Sequence, residues 1–261
     1  EEELAERPSA RQAVRNLGTH FHELFRNRDF MFLLVSFSIG LAVFNGMLTV
    51  IDQWLEPFGY SNNQAGIAGG TLIVAGLAGA AVAGILMDTY HNYRAILKGC
   101  FICALAALTF LCLMLFRHNY PLVLVGFGFM GFFTLPILPG IIENAVECTY
   151  PMPEESSSGL LFCCGNVLGI GVTLLMAKLV KSADNRPFTA ANLFLVASIA
   201  LCVLIVLPYK GQYRRLEAER GHTRVSSSEK ALGEERDPRI AGHHQEDNSM
   251  ERPLLVDPSA V

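Results

Sequence analysis

Charge is what this sequence has least of. Charged residues fill 17% of its 261 positions and sum to only −4, so no broad basic field is present to hold nucleic acid. A disulfide framework is missing too: Cys100, Cys103, Cys112, Cys148, Cys163, Cys164 and Cys202 nearly all fall inside apolar stretches. Cys100 and Cys103 form a C-x-x-C, but no second pair stands at metal spacing, and they read as apolar core side chains. The histidines, His20, His22, His91, His118, His222, His243 and His244, fall in loops and tails, so no pair converges inside an apolar segment to bind a metal or ligate haem. No apolar segment offers a Ser-His pair, paired aspartates or an H-E-x-x-H, which leaves enzymatic chemistry without its groups and calls for no cofactor. The sequence opens at Glu1 without Met or a signal n-region, which reads as a processed chain or a piece of a longer one.

What is present is apolar surface. Half the residues, 51%, are hydrophobic, and the mean hydropathy is positive despite a long polar tail. The apolar residues gather in blocks of about twenty, the length that crosses roughly 30 Å of hydrocarbon. Six spans are expected, at about 30–51, 66–87, 96–116, 121–142, 159–180 and 189–208. The fold class is therefore an all-α membrane protein, a six-helix bundle whose first partner is membrane lipid. Residues 1–29 read as a cytoplasmic lead-in. Residues 209–261, charged and Ser-rich, read as a disordered cytoplasmic tail, whose Glu251-Arg252-Pro253-Leu254-Leu255 has the look of a dileucine sorting signal.

Orientation follows the basic residues. With both termini inside, the inner segments carry Arg7, Arg11, Arg15, Arg26, Arg28, Arg94, Lys98, Lys210, Arg214 and Arg215, against Arg117, Lys178, Lys181 and Arg186 outside. Small residues in the second span, Gly66 with Gly70 and the row Gly76, Ala80 and Gly84, and in the fifth, Gly165 with Gly169, predict close helix packing. Pro136 and Pro139 predict a bend or break in the inner half of the fourth span. Asn45 and Asn166 sit near mid-depth, where an amide must meet another helix or a cavity. A polar cavity lined by both would mark a carrier; a closed bundle centre would mark a scaffold. Glu143 and Glu147, four apart on one helical face, read as solvated or pairing groups at the inner end of the bent helix.

Four stretches resemble known families. Gly84-Ile85-Leu86-Met87-Asp88, followed by Arg94, resembles the major facilitator G-x-x-x-D loop, which implies a gating role for Asp88, with Arg94 in place of the usual base after it. Glu143-Asn144-Ala145-Val146-Glu147-Cys148-Thr149-Tyr150-Pro151, with Glu154 and Ser157-Ser158-Gly159-Leu160 beyond it, is similar to a segment of the feline leukaemia virus subgroup C receptor-related transporters, solute carrier family 49. Gly59-Tyr60-Ser61-Asn62 and Tyr213-Arg214-Arg215-Leu216 resemble that family's branch known as major facilitator domain-containing protein 7. The resemblance covers about residues 24–218. It implies the C-terminal six-helix half of a twelve-helix facilitator or exporter, rocking against an N-terminal half to carry a small organic solute such as a choline- or ethanolamine-like amine, haem or a vitamin. It places Phe44 and Asn45 on an aromatic-pair position of the substrate site and Asn166 on a substrate-facing amide; Glu143 and Glu147, from their shared helical face, could hold a gate by pairing with basic residues of the other half. A plasma or endolysosomal membrane follows. A receptor or scaffold retaining the carrier fold is the alternative.

Overall fold

The computed structural model describes residues 23–90, 92–116, 119–181 and 189–211, which lie in one compact unit, Glu1–Arg214. The second unit, Arg215–Val261, falls outside the described residues. So do most of the lead-in and tail, all seven histidines and the Tyr213–Leu216 stretch.

Every regular element among the described residues is helical. Helix α1 is Arg28–Thr49. It breaks at Val50 and resumes as a short α2, Ile51–Leu55, which ends in a 3-10 turn, Glu56–Phe58. Gly59 closes that turn with φ +82°, a left-handed conformation that costs glycine nothing. There follow α3, Asn62–Tyr90, α4, Tyr93–Phe116, α5, Tyr120–Thr134, α6, Ile137–Thr149, α7, Glu154–Lys181, and α8, Ala190–Val206. Among the described residues five stretches, with α5 and α6 counted as one, are long and apolar enough to cross a membrane, and α8 is a shorter apolar helix. Six apolar segments thus run back and forth between a Trp54 end and a Tyr209 end, α1 lying chiefly against α7 and α3 against α5.

The fourth span breaks where its prolines predict. Pro136 has no N–H for the carbonyl of Phe132, so α5 stops at Thr134 and α6 starts at Ile137. Gly79 of α3 receives the freed carbonyl: a Cβ built there would run into the Phe132 carbonyl and main chain. Gly131 on α5 lies in the same way against the carbonyl of Leu72. These approaches place backbone on backbone, the packing that lipid-immersed helices rely on.

The glycine rows are only partly as expected. Gly76, Gly165 and Gly169 do face neighbouring helices, but a Cβ at Gly66, Gly70 or Gly84 would meet nothing within 4 Å. The buried face of α3 is Ala65, Ala68, Leu72, Gly76, Gly79, Ala83 and Met87. Its steps of three and four return every eleven residues, so a strict four-residue row drifts off the face and misses Gly79.

Side-chain caps fix the helix ends. Ser61 and Gln64 form a reciprocal box at the start of α3: the Ser61 N–H donates to Gln64 Oε1 at 2.9 Å and the Gln64 N–H to Ser61 Oγ at 3.4 Å. Asn27 accepts from the N–H groups of Asp29 and Phe30 at the head of α1, while its Nδ2 donates to the Cys148 carbonyl in the last turn of α6, at 2.9 Å. One amide thus satisfies orphan groups at two helix ends.

Candidate functional site

The interior is divided. One cluster of buried apolar side chains fills the Trp54 end, with Met47, Phe58, Leu111 and Phe127, and a second fills the Tyr209 end, with Phe30, Phe101, Ile141 and Leu161. Between them, beside the break in the fourth span, lies a cavity of about 350 Å³. Helix α1 lines it with Ser36, Phe37, Gly40 and Phe44, and the broken span with Thr134, Leu135 and Leu138 on either side of the break. Ala104 of α4 and Ile199 of α8 also line it. A smaller space shared by Gly40, Phe44, Ala104, Thr134 and Ile199 adjoins it.

The lining is almost wholly apolar. Ser36 and Thr134 bring its only polar side chains among the described residues. The Ser36 hydroxyl is engaged with its own helix, at 2.8 Å from the Phe32 carbonyl and 3.1 Å from that of Leu33. Such a surface offers shape, ring faces and dispersion contact but no counter-charge.

Of the residues singled out in the sequence, Phe44 faces this cavity; Asn45 and Asn166 are not among its lining residues. Asn45 is half-buried on α1. Asn166 is exposed on α7, its Nδ2 donating to the Phe162 carbonyl one turn back at 2.8 Å. Phe162 meets Phe37 edge to face, ring centres 5.2 Å apart, so Asn166 lies one turn beyond an aromatic pair that includes a cavity residue. The bundle therefore holds open space beside the break, but without the polar lining expected of Asn45 and Asn166.

The residues assigned to gating gather toward the Tyr209 end without forming one cluster. Asp88 is exposed near the end of α3. Arg94 donates to the main-chain carbonyl of Lys210, and Lys98 Nζ to that of Leu207 at 2.8 Å, so two cations of α4 serve the carbonyls just beyond α8. Glu143 is exposed and Glu147 buried, although both belong to one side of α6. Around Glu147 the family-like segment is a dense polar knot. Asn144, fully buried, donates to the Gly140 carbonyl at 2.7 Å and accepts from the Tyr209 hydroxyl at 3.3 Å. Thr149 Oγ1 and Ser157 Oγ, both buried, stand 2.9 Å apart across the turn from α6 to α7. The segment resembling the transporter family thus ties α6 to its neighbours.

At the opposite end the sequence reading missed a pair. The indole N–H of Trp54 donates to Asn192 Oδ1 at 2.7 Å, both side chains buried, and the Trp54 ring meets Phe127 edge to face. The Asn192 N–H is capped by Thr189 Oγ1 at 3.3 Å. A lone amide at the head of an otherwise apolar span and the only tryptophan of the chain were the available signals. Nearby, the rings of Tyr60 and Tyr120 meet at a 41° tilt with centres 5.8 Å apart, and burial pushes the Tyr60 phenol above its ordinary pKa.

Residues 1–151 match the family model described as the Major Facilitator Superfamily. The chain belongs to that superfamily. It is 32% identical over 213 residues to solute carrier family 49 member A3 of Xenopus tropicalis, an alignment covering 76% of this chain and 44% of that protein. It is 32% identical over 193 residues to choline/ethanolamine transporter flvcr2b of Danio rerio, covering 74% and 39%. It is 30% identical over 200 residues to choline/ethanolamine transporter FLVCR2 of Homo sapiens, covering 76% and 37%. The chain therefore spans less than half the length of these relatives. They bear out the resemblance of the chain to solute carrier family 49, and they are named as transporters and carriers, not as enzymes. The chain is a multi-pass integral membrane protein of the major facilitator type, with five apolar helices of membrane-crossing length and a shorter one among the described residues.

Proposed function

We propose that this superfamily member is the C-terminal wall of a facilitator or exporter of a small organic solute, completed by an N-terminal six-helix half and worked by alternating access. The observation that carries the reading is the cavity at the break of the fourth span, set between two separately packed ends of the bundle. A helix broken by proline next to open volume is an element with two available arrangements, and a carrier needs one at its solute path. Phe44 forms part of the binding wall. Asn45 and Asn166 belong to the faces turned toward the solute and the second half. Asp88, Arg94, Glu143 and Glu147 stand at the inner gate, where the Asn144–Tyr209 knot steadies α6. Both ends of the chain are cytoplasmic, in a plasma or endolysosomal membrane, as the distribution of arginine and lysine supports.

The test is flux. The chain joined at its N-terminus to a candidate six-helix half is reconstituted in liposomes and offered radiolabelled choline, ethanolamine, haem and pyridoxine. Uptake of one solute is expected from the joined protein and not from this chain alone. Phe44→Ala is expected to lower it by roughly tenfold, about 1.4 kcal/mol of transition-state or binding energy. Robust uptake by this chain alone would sink the half-transporter reading, and so would a correctly inserted joined protein that moves none of the four.

A further inference from the structure

Resting on the transport reading, we infer that the part of the solute seated against this half is uncharged and apolar, a ring or short hydrocarbon group, and that any charge on the solute is met elsewhere. The cavity wall carries no carboxylate and no amide among the described residues. Of its two hydroxyls, that of Ser36 already serves two carbonyls of its own helix. An ammonium would meet no carboxylate or amide there: the side-chain acceptors on this wall are the lone pairs of two hydroxyls, that of Ser36 on a fully buried side chain, and a buried charge paired so poorly is strongly disfavoured. The rings of Phe37 and Phe44 offer π faces, but no anion stands behind them to offset the water a cation would lose.

Size points the same way. A dry apolar cavity of roughly 150 Å³ takes one benzene ring, and this one is about 350 Å³. The space therefore admits a fused ring or a branched chain as well as a single ring. Gly40 supplies the means of testing this, because it lines the cavity and a Cβ built on it meets nothing within 4 Å. A larger side chain there occupies the cavity without striking a neighbour at its first carbon.

The experiment is equilibrium binding to this chain in lipid nanodiscs, with indole as an uncharged apolar probe and choline and ethanolamine as charged ones, on the unmodified chain and on Gly40→Leu. Saturable indole binding is expected, weakened by roughly tenfold or more in Gly40→Leu, with no saturable binding of either amine. Gly40→Val serves if the leucine variant does not fold. Amine binding that Gly40→Leu removes would overturn the inference, as would indole binding that is absent, or identical in the filled variant and thus mere partition into lipid. Because binding is read without flux, a failed transport assay beside the expected indole result removes the transport reading alone.

Discussion

The indole of Trp54 and the side-chain amide of Asn192, 138 positions apart, share a buried hydrogen bond of 2.7 Å that fastens the α1–α2 break to the head of α8. Trp54→Phe keeps the bulk but leaves Asn192 Oδ1 without this donor, a loss of about 1–3 kcal/mol. Thermal unfolding in detergent should show the lower Tm. The double variant with Asn192→Leu should recover part of it, and strictly additive losses would mean the two groups are not coupled.

Gly79→Ala should destabilise by about 1–3 kcal/mol, because the added methyl meets the Phe132 carbonyl and forces α3 from α5. Gly84→Ala, on the same helix but in open space, should be neutral or stabilise by up to about 1 kcal/mol. Equal effects at the two positions would contradict the close approach.

Tyr209→Phe removes the hydroxyl that Asn144 accepts, and a loss of about 0.5–1.5 kcal/mol is expected. Asn144→Ala, which also removes the bond to Gly140 and leaves a hole in a fully buried site, should lose more. The comparison is read from thermal unfolding, and a larger loss in Tyr209→Phe would mean the hydroxyl has a heavier role than the amide.

Cys163 reports on the face that bears Asn166. It lies three residues earlier on α7 and is exposed, whereas Cys112, Cys148 and Cys202 are buried. If that face lines a water-filled path, a water-soluble maleimide should label Cys163 before the buried three, and solute should slow the reaction. A Cys163 that stays unlabelled in membranes but reacts after unfolding would place the face against lipid.

Much of this was legible in the residues. Apolar blocks of helix-crossing length announced the spans, and Pro136 announced the break, because each effect is set by local chemistry. Phe44 was singled out through resemblance, and it lines the cavity. Gly79 was missed because its use depends on a carbonyl freed on another helix, and the four-residue counting favoured Gly84 instead. The box at Ser61 and Gln64 could have been read directly from its S-x-x-Q spacing. The apolar character of the cavity could not, since Asn45 and Asn166 were placed by depth along their helices, whereas what lines a cavity depends on rotation about the axis.

The meeting of Gly79 with the Phe132 carbonyl bears on what the fourth span needs at its break. A kink in a membrane helix ordinarily draws in water, or a hydroxyl, to quiet the carbonyl it strands. Here the backbone of a neighbouring helix lies against that oxygen, so the break in the fourth span is covered by protein and calls for no water or hydroxyl at this carbonyl.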